Sequence, residues 1–200
     1  MPTAARKLMS LDEFFNWNPP GDTRWELYSG VPVAMAPPMR THGLVAATLG
    51  GLLFAALKGK PPRQAESKAG ILSPTRRNSW YSADIAVSCG PARPDQQYTA
   101  EPVVIAEILS QSTQDNDRTV KLPDYRRIPS VREIVLLDSR KMFGEVHRRT
   151  DSGAWIVDLL TAAEDRLVLE SCGLDVSLGE LYEGIAFDEP PAETIDSGTR

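Results

Sequence analysis

Tyr81-Ser82-Ala83-Asp84-Ile85-Ala86-Val87 and Val103-Val104-Ile105-Ala106-Glu107-Ile108-Leu109 decide the fold. Each is a short run of apolar, β-branched residues bounded by polar segments, the mark of a strand buried in a sheet. Each is interrupted once, by an acid. A carboxylate is almost never buried unless something pairs with it. Two such interruptions, followed by Lys121 in Asp117-Arg118-Thr119-Val120-Lys121, suggest a site that holds a divalent cation.

The rest of the chain is read outward from these strands. Trp80–Ser88 and Pro102–Leu109 are separated by a loop over Gly90–Ala100. Upstream, the basic connector Lys58–Asn78 is expected to hold one or two short strands. Before it, Gly43–Leu57 carries no charge but falls short of the about 20 residues a bilayer span needs, so it reads as a buried helix from about Thr41 to Leu57. No membrane association is expected.

Trp25-Glu26-Leu27-Tyr28 and Val31-Pro32-Val33-Ala34-Met35 flank Ser29-Gly30, a hairpin pattern in which Pro32 demotes the second strand to an edge. Ser10-Leu11-Asp12-Glu13 is a capping box opening a short helix that Asn18-Pro19-Pro20-Gly21 stops.

Downstream, Asp117 can cap the segment that follows it. Pro123 either starts a short helix over Lys121–Arg127 or breaks a longer one. Ile134–Leu137 is a further buried strand. Phe143–Arg149 and Ala154–Leu160 alternate as a hairpin, and Arg166–Glu170 and Leu178–Tyr182 suggest a last strand and a terminal helical turn. This mixture of elements predicts an α/β fold with a mixed sheet in one domain over residues 1–182. Residues 183–200 read as an acidic, disordered tail.

Composition narrows the chemistry. The net charge of −5 gives no global case for polyanion binding, so contacts to phosphate would need local basic groups at Lys58–Arg77 and Arg118–Arg149. Cys89 and Cys172 lack metal-type spacing and fit a reducing, cytoplasmic setting. Two histidines, His42 and His147, do not make a histidine-rich zinc site.

Hard cations prefer oxygen ligands, and Mg²⁺ commonly takes one or two carboxylates with water and substrate oxygens. Asp84 and Glu107 meet that minimum, and the backbone carbonyl of Ile108 offers a third ligand. Brought within about 4–6 Å, the two acids would raise each other's pKa unless a cation intervened. Lys121 would stabilise charge building at the reacting phosphorus or orient the attacking water. The plain alternative is two strand-end acids in solvent and a surface lysine.

The same residues resemble the Uma-two family of endonucleases, within the PD-(D/E)xK restriction endonuclease-like superfamily. The resemblance runs from about Met9 to Leu181. It rests on Trp25-Glu26-Leu27-Tyr28-Ser29-Gly30, on Ala36-Pro37-Pro38-Met39-Arg40-Thr41-His42, and on Ala83-Asp84-Ile85-Ala86-Val87. Further along it rests on Glu107-Ile108-Leu109-Ser110-Gln111-Ser112-Thr113 and on the run from Asp117 to Glu133.

It implies a restriction endonuclease-like mixed sheet flanked by helices, with Asp84 and Glu107 as ligands to Mg²⁺ or Mn²⁺. Lys121 would be a migrated active-site lysine, since the usual position two residues after the second acid is Leu109. The resemblance also implies that Glu26 is an extra metal-site carboxylate or general base. His42 would contact substrate phosphate, and Tyr125 would hydrogen-bond within the site. Ala83 and Gln111 stand where the family usually has proline.

The expected activity is endonucleolytic hydrolysis of phosphodiesters, with DNA as the expected substrate. A homodimer would suit an enzyme that cuts two strands. Two alternatives stand beside it. One is a non-catalytic binding or scaffolding module that dimerises through exposed Trp and Phe side chains. The other is a metal hydrolase acting on a different phosphoester.

Overall fold

A computed structural model describes residues 8–187 except Pro20, Pro61 and Pro62. Its centre is an eight-stranded mixed sheet. Seven strands lie in the order β2 (Val31–Ala34), β1 (Trp25–Tyr28), β4 (Trp80–Cys89), β5 (Pro102–Leu109), β6 (Glu133–Asp138), β7 (Gly144–Arg149) and β8 (Trp155–Leu160). The eighth, β3 (Arg63–Leu72), pairs with β4 along its whole length. All pairings are antiparallel except β5 with β6.

The hairpin between β1 and β2 turns on Ser29 and Gly30, both at positive φ (48° and 84°), as a tight two-residue turn demands. A Cβ on Gly30 would sit 2.9 Å from the Leu8 Cβ, so the N-terminal segment closes over this turn. Pro32 lies on the edge strand, where its missing N–H costs no ladder bond. The capping box of α1 (Leu11–Phe15) is present, with Glu13 N–H on Ser10 Oγ and Ser10 N–H on Glu13 Oε2.

Two apolar layers cover the sheet. On one face α2 (Arg40–Leu57) buries Val45, Leu49 and Leu53 completely against Ile85, Val87, Val104, Ala106 and Ile108. This 18-residue helix is long and apolar enough, by length and composition, to cross a membrane; here that stripe packs on the sheet. The hairpin of β9 (Arg166–Leu169) with β10 (Leu174–Ser177) and α5 (Leu178–Leu181) complete this layer. Ile185 and Phe187, within the expected tail, pack against it too; the tail's residues 188–200 lie outside the described residues.

The opposite layer is formed by Tyr81, Ala83, Ile105, Leu109, Ile134 and Leu136 with the crossover that joins the parallel strands β5 and β6. That crossover is α3 (Gln114–Asn116), one turn of π-helix over Asp117–Lys121, and α4 (Leu122–Tyr125). The expected helix over Lys121–Arg127 is therefore shorter, and a wide turn precedes it.

Two expectations need correction. The connector before β4 holds one ten-residue strand rather than one or two short ones. Its first half is polar and partly exposed, so only Ala69–Leu72 carry the apolar signal. The Leu174–Ser177 strand, paired with β9, is a further element that the sequence pattern does not announce.

The strands β3 and β4 also change face part-way along. In β4, Tyr81 and Ala83 face the crossover, whereas Ile85 and Val87 face α2. In β3, Ala69 and Ile71 face the crossover, whereas Ala65 packs with the α2 layer. The inversion falls at Asp84 and at Lys68, the residue between its paired neighbours Ser67↔Ile85 and Ala69↔Ala83. Lys68 has a left-handed φ of 53°, uncommon for a residue with a side chain.

Candidate active site

The site forms where β4 and β5 part. Their ladder runs to Ile85↔Ala106 and no further toward the start of β4. Backbone amides beyond that point need other acceptors, because an unpaired buried N–H is costly. Side chains supply them. Asp84 Oδ2 accepts from the Ile108 N–H at 2.8 Å, and Glu107 Oε2 from the Asp84 N–H at 3.3 Å. Glu26, on β1, accepts from the Ser82 N–H at 2.8 Å through Oε1. The carboxylates predicted from the broken apolar runs thus close the gap between diverging strands.

Behind them lies a buried cation. Lys121, 2% exposed, places Nζ 2.9 Å from Glu26 Oε1, 3.1 Å from Asp117 Oδ1 and 3.3 Å from Glu107 Oε1. The π-turn and α4 carry Lys121 and Tyr125 to the same carboxylate: Tyr125 Oη donates to Glu107 Oε1 at 2.7 Å. Burial lowers the lysine pKa, but Glu107, Glu26 and Asp117 outweigh it, so Lys121 stays charged well above its ordinary range. Burial pushes the Tyr125 hydroxyl well up, reinforced by Glu107, so it remains a donor.

The two central acids are held in opposite directions. Burial opposes charge on Asp84, yet His42 and Lys68 hold its carboxyl down at about 2. His42, from the start of α2, sets Nε2 3.1 Å from Asp84 Oδ2, and the Lys68 ammonium rests on Asp84 Oδ1. For Glu107 burial prevails. Burial pushes it up to about 8; Lys121 opposes this, and Asp117, Asp84 and Glu26 add repulsion. Asp117, also buried, is raised for the same first reason.

These groups open on a cleft of about 390 Å³ lined by Arg24, Met35–Met39, His42, Lys68, Asp84, Glu107, Ser110–Thr113, Asp117 and Lys121. Every residue expected in the site is gathered here, but not all reach the cleft. Glu26 is wholly buried, its oxygens taken by Ser82 N–H, Lys121 and Tyr28 Oη, which makes it the counter-ion of Lys121 and not a third donor beside Asp84. Tyr125 is wholly buried behind Glu107, so its contact is with that carboxylate and not with anything in the cleft. The Ile108 peptide meets the site through its N–H on Asp84.

Among the described residues no three His, Cys, Asp or Glu side chains form a ready-made metal cage. The donor set still suits a hard divalent ion, which commonly needs only one or two carboxylates from the protein. Asp84 Oδ1 already holds a cationic group, and Glu107 Oε2 accepts only the long bond from the Asp84 N–H.

Three contributors escaped the sequence reading. Lys68 was one charge in a basic connector. Asp117 was read as a cap. Asp124 lay inside a quoted motif without a role, yet its buried carboxylate accepts from Ser73 Oγ (2.6 Å), Thr75 Oγ1 (2.8 Å) and Tyr81 Oη (2.8 Å), tying α4 to the β3–β4 turn. The spacing of Asp117 four residues before Lys121, which places the two side chains together on one helical face, was the available signal for Asp117.

Of the basic groups expected to meet phosphate, those over Arg118–Arg149 are largely engaged within the chain. Arg118 pairs with Glu145 and Arg140 with Asp138, each through nitrogen–oxygen contacts of 2.7–2.8 Å. Arg148 pairs with Asp158, and Arg126 and Arg149 stack over Trp155. Of the aromatic side chains invoked for dimerisation, Phe14 and Phe15 pack on Trp80 and Trp17 on Trp25, whereas Phe54 on α2 is exposed.

Comparison with known proteins agrees with this fold. The chain is 28% identical over 187 residues to an uncharacterized protein of Synechocystis sp., covering 93% of this chain and 97% of that one. Its fold matches the crystal structure of a putative nuclease belonging to DUF820 from Anabaena variabilis, with a TM-score of 0.67 at 16% identity, over 87% of this chain and 97% of that one. Residues 11–178 match the Uma2 family model, whose description is "Putative restriction endonuclease"; the chain belongs to this family.

Proposed function

We propose that the protein is a metal-dependent endonuclease that hydrolyses phosphodiester bonds, with DNA as the substrate. One observation carries this reading: Asp84 and Glu107, far apart in sequence, converge at the open end of β4 and β5 on the wall of a cleft, with a buried ammonium behind them. A fold stabilised only by apolar packing has no use for three buried acids around one lysine. Removing any partner from such a cluster is strongly destabilising, and apolar replacement of the whole is often neutral, so stability alone does not account for it.

Asp84 and Glu107 are the residues that would hold Mg²⁺ or Mn²⁺. The ion, when bound, would polarise a phosphoryl oxygen and acidify water. The chain's own groups do the rest. His42 orients Asp84 and keeps it ionised. Tyr125 and Lys121 fix the rotamer of Glu107 from behind, leaving its other oxygen toward the cleft. Lys121 also keeps Glu107 from rising further, so the carboxylate can ionise when a cation arrives. Glu26 and Asp117 hold Lys121 in place.

The test is a calorimetric titration with Mn²⁺ alongside cleavage of linear and supercoiled DNA. Saturable binding of Mn²⁺ and metal-dependent nicking are expected. A chain that binds no divalent cation and leaves DNA and RNA intact at high enzyme concentration would overturn the reading.

A further inference from the structure

Two lysines border this site, and they differ in what they can reach. Lys121 is 2% exposed and surrounded by Glu26, Glu107 and Asp117. It is fixed. The Lys68 side chain is 37% exposed, lines the cleft, and has one anionic partner, Asp84. Its backbone is left-handed at the point where β3 and β4 change face. Outlying backbone conformations persist only where the surroundings impose them, and they gather at functional sites.

The oxygens of Asp84 are shared out unequally. Oδ2 takes the Ile108 N–H and His42 Nε2. Oδ1 is left with the Lys68 ammonium. A divalent ion that uses Asp84 from the cleft must therefore contend with that ammonium for Oδ1. Once released, a four-carbon stem with a compact charge is free in the cleft, where a phosphate would enter. The cleft lining holds two other Lys or Arg side chains, Lys121, enclosed by three carboxylates, and Arg24; of the three, Lys68 alone rests on Asp84.

Resting on the nuclease reading, we propose that Lys68 is the cleft's contact to the substrate phosphate, stored on Asp84 Oδ1 until a divalent cation takes its place. Lys68 then acts twice. It neutralises Asp84 in the metal-free protein, and it meets the nucleic-acid backbone in the loaded one.

The experiment compares wild type, Lys68→Gln, Lys68→Arg and Asp84→Asn. Mn²⁺ affinity is measured by calorimetry, and binding of a short duplex is followed in non-cleaving Ca²⁺ across a salt series. Lys68→Gln should bind Mn²⁺ on the order of fivefold tighter, because no ammonium contends for Oδ1. Its log–log salt slope should fall by about 1, since one phosphate contact is gone. Lys68→Arg should keep the slope. Should Lys68→Gln fail to fold, Lys68→Met carries the same expectation.

Unchanged or weaker Mn²⁺ binding in Lys68→Gln, or an unchanged slope, overturns the assignment. If Asp84→Asn abolishes Mn²⁺ binding while Lys68→Gln leaves it unaltered, the role of Lys68 falls and the nuclease reading stands. If wild type binds no Mn²⁺, both fall.

Discussion

Asp84 and Glu107 each reach across to the other strand: the Asp84 carboxylate accepts the N–H of the residue after Glu107, and the Glu107 carboxylate accepts the N–H of Asp84 itself. The pair substitutes for the ladder bonds that β4 and β5 lack beyond Ile85↔Ala106. Structure and proposed chemistry therefore depend on the same two carboxylates.

Asp84→Asn keeps the shape and one acceptor while removing the charge. We expect metal-dependent cleavage to fall by on the order of 100-fold or more, the loss of about 3 kcal/mol of transition-state stabilisation. Far-UV circular dichroism should be unchanged. Full cleavage by this variant would remove Asp84 from the site.

Tyr125→Phe deletes one hydroxyl and leaves the ring. Glu107 Oε1 then keeps only Lys121, at 3.3 Å. A buried acceptor losing its best donor costs about 1–3 kcal/mol. Urea denaturation should show a lower midpoint at unchanged slope.

Asp124→Ala strips three hydroxyls, those of Ser73, Thr75 and Tyr81, of their shared acceptor. It also removes the partner of Arg76, 3.3 Å away. We expect about 3 kcal/mol of destabilisation, in line with breaking a buried charged network. Hydrogen exchange should speed first in α4 and in the turn between β3 and β4.

Leu49→Ala opens a cavity between α2 and the sheet, where Leu49 has no exposure. The cost should be about 2–5 kcal/mol. Because Leu49 touches only the apolar layer, Mn²⁺ binding by the folded fraction should match wild type in calorimetry.

Acid should weaken the fold partly through Asp138. Burial raises its pKa, but Arg140 more than offsets this and holds the carboxyl below the ordinary range. A depressed folded-state pKa gives stability that is present above the unfolded value, about 4, and lost as pH falls through the folded value. Arg140→Ala should therefore lower stability by about 1 kcal/mol or less at pH 7, since Arg140 is exposed, and by nothing measurable at a pH low enough to protonate Asp138 in the folded chain. Equal losses in urea melts at both pH values would contradict the assignment.

Much of the site was legible because burial and charge conflict visibly in one dimension. An acid inside Val-Val-Ile-Ala-Glu-Ile-Leu must have a partner, and the partner was sought in the same local contexts. The Ser29-Gly30 turn and the edge position of Pro32 followed from backbone chemistry alone. What stayed hidden depends on contacts between distant segments. Lys68 lies among other basic residues, and nothing beside it marks a left-handed φ; glycine or asparagine would have. The π-turn at Asp117–Lys121 rests on the packing of Lys121 and Tyr125 beneath Glu107, which no local period encodes. Glu26 and Tyr125 lie in the expected neighbourhood but are wholly buried behind its wall, which sequence order does not show, since it does not say which side chains face the opening.

The exchange of faces along β3 and β4 has a mechanical meaning. Each of these strands serves as a rib of both apolar layers, one near its beginning and the other near its end. Neither layer can melt and leave its ribs intact for the other. The chain should come apart in a single step, and the crease that admits the cleft is also the seam that makes the two halves share one fate.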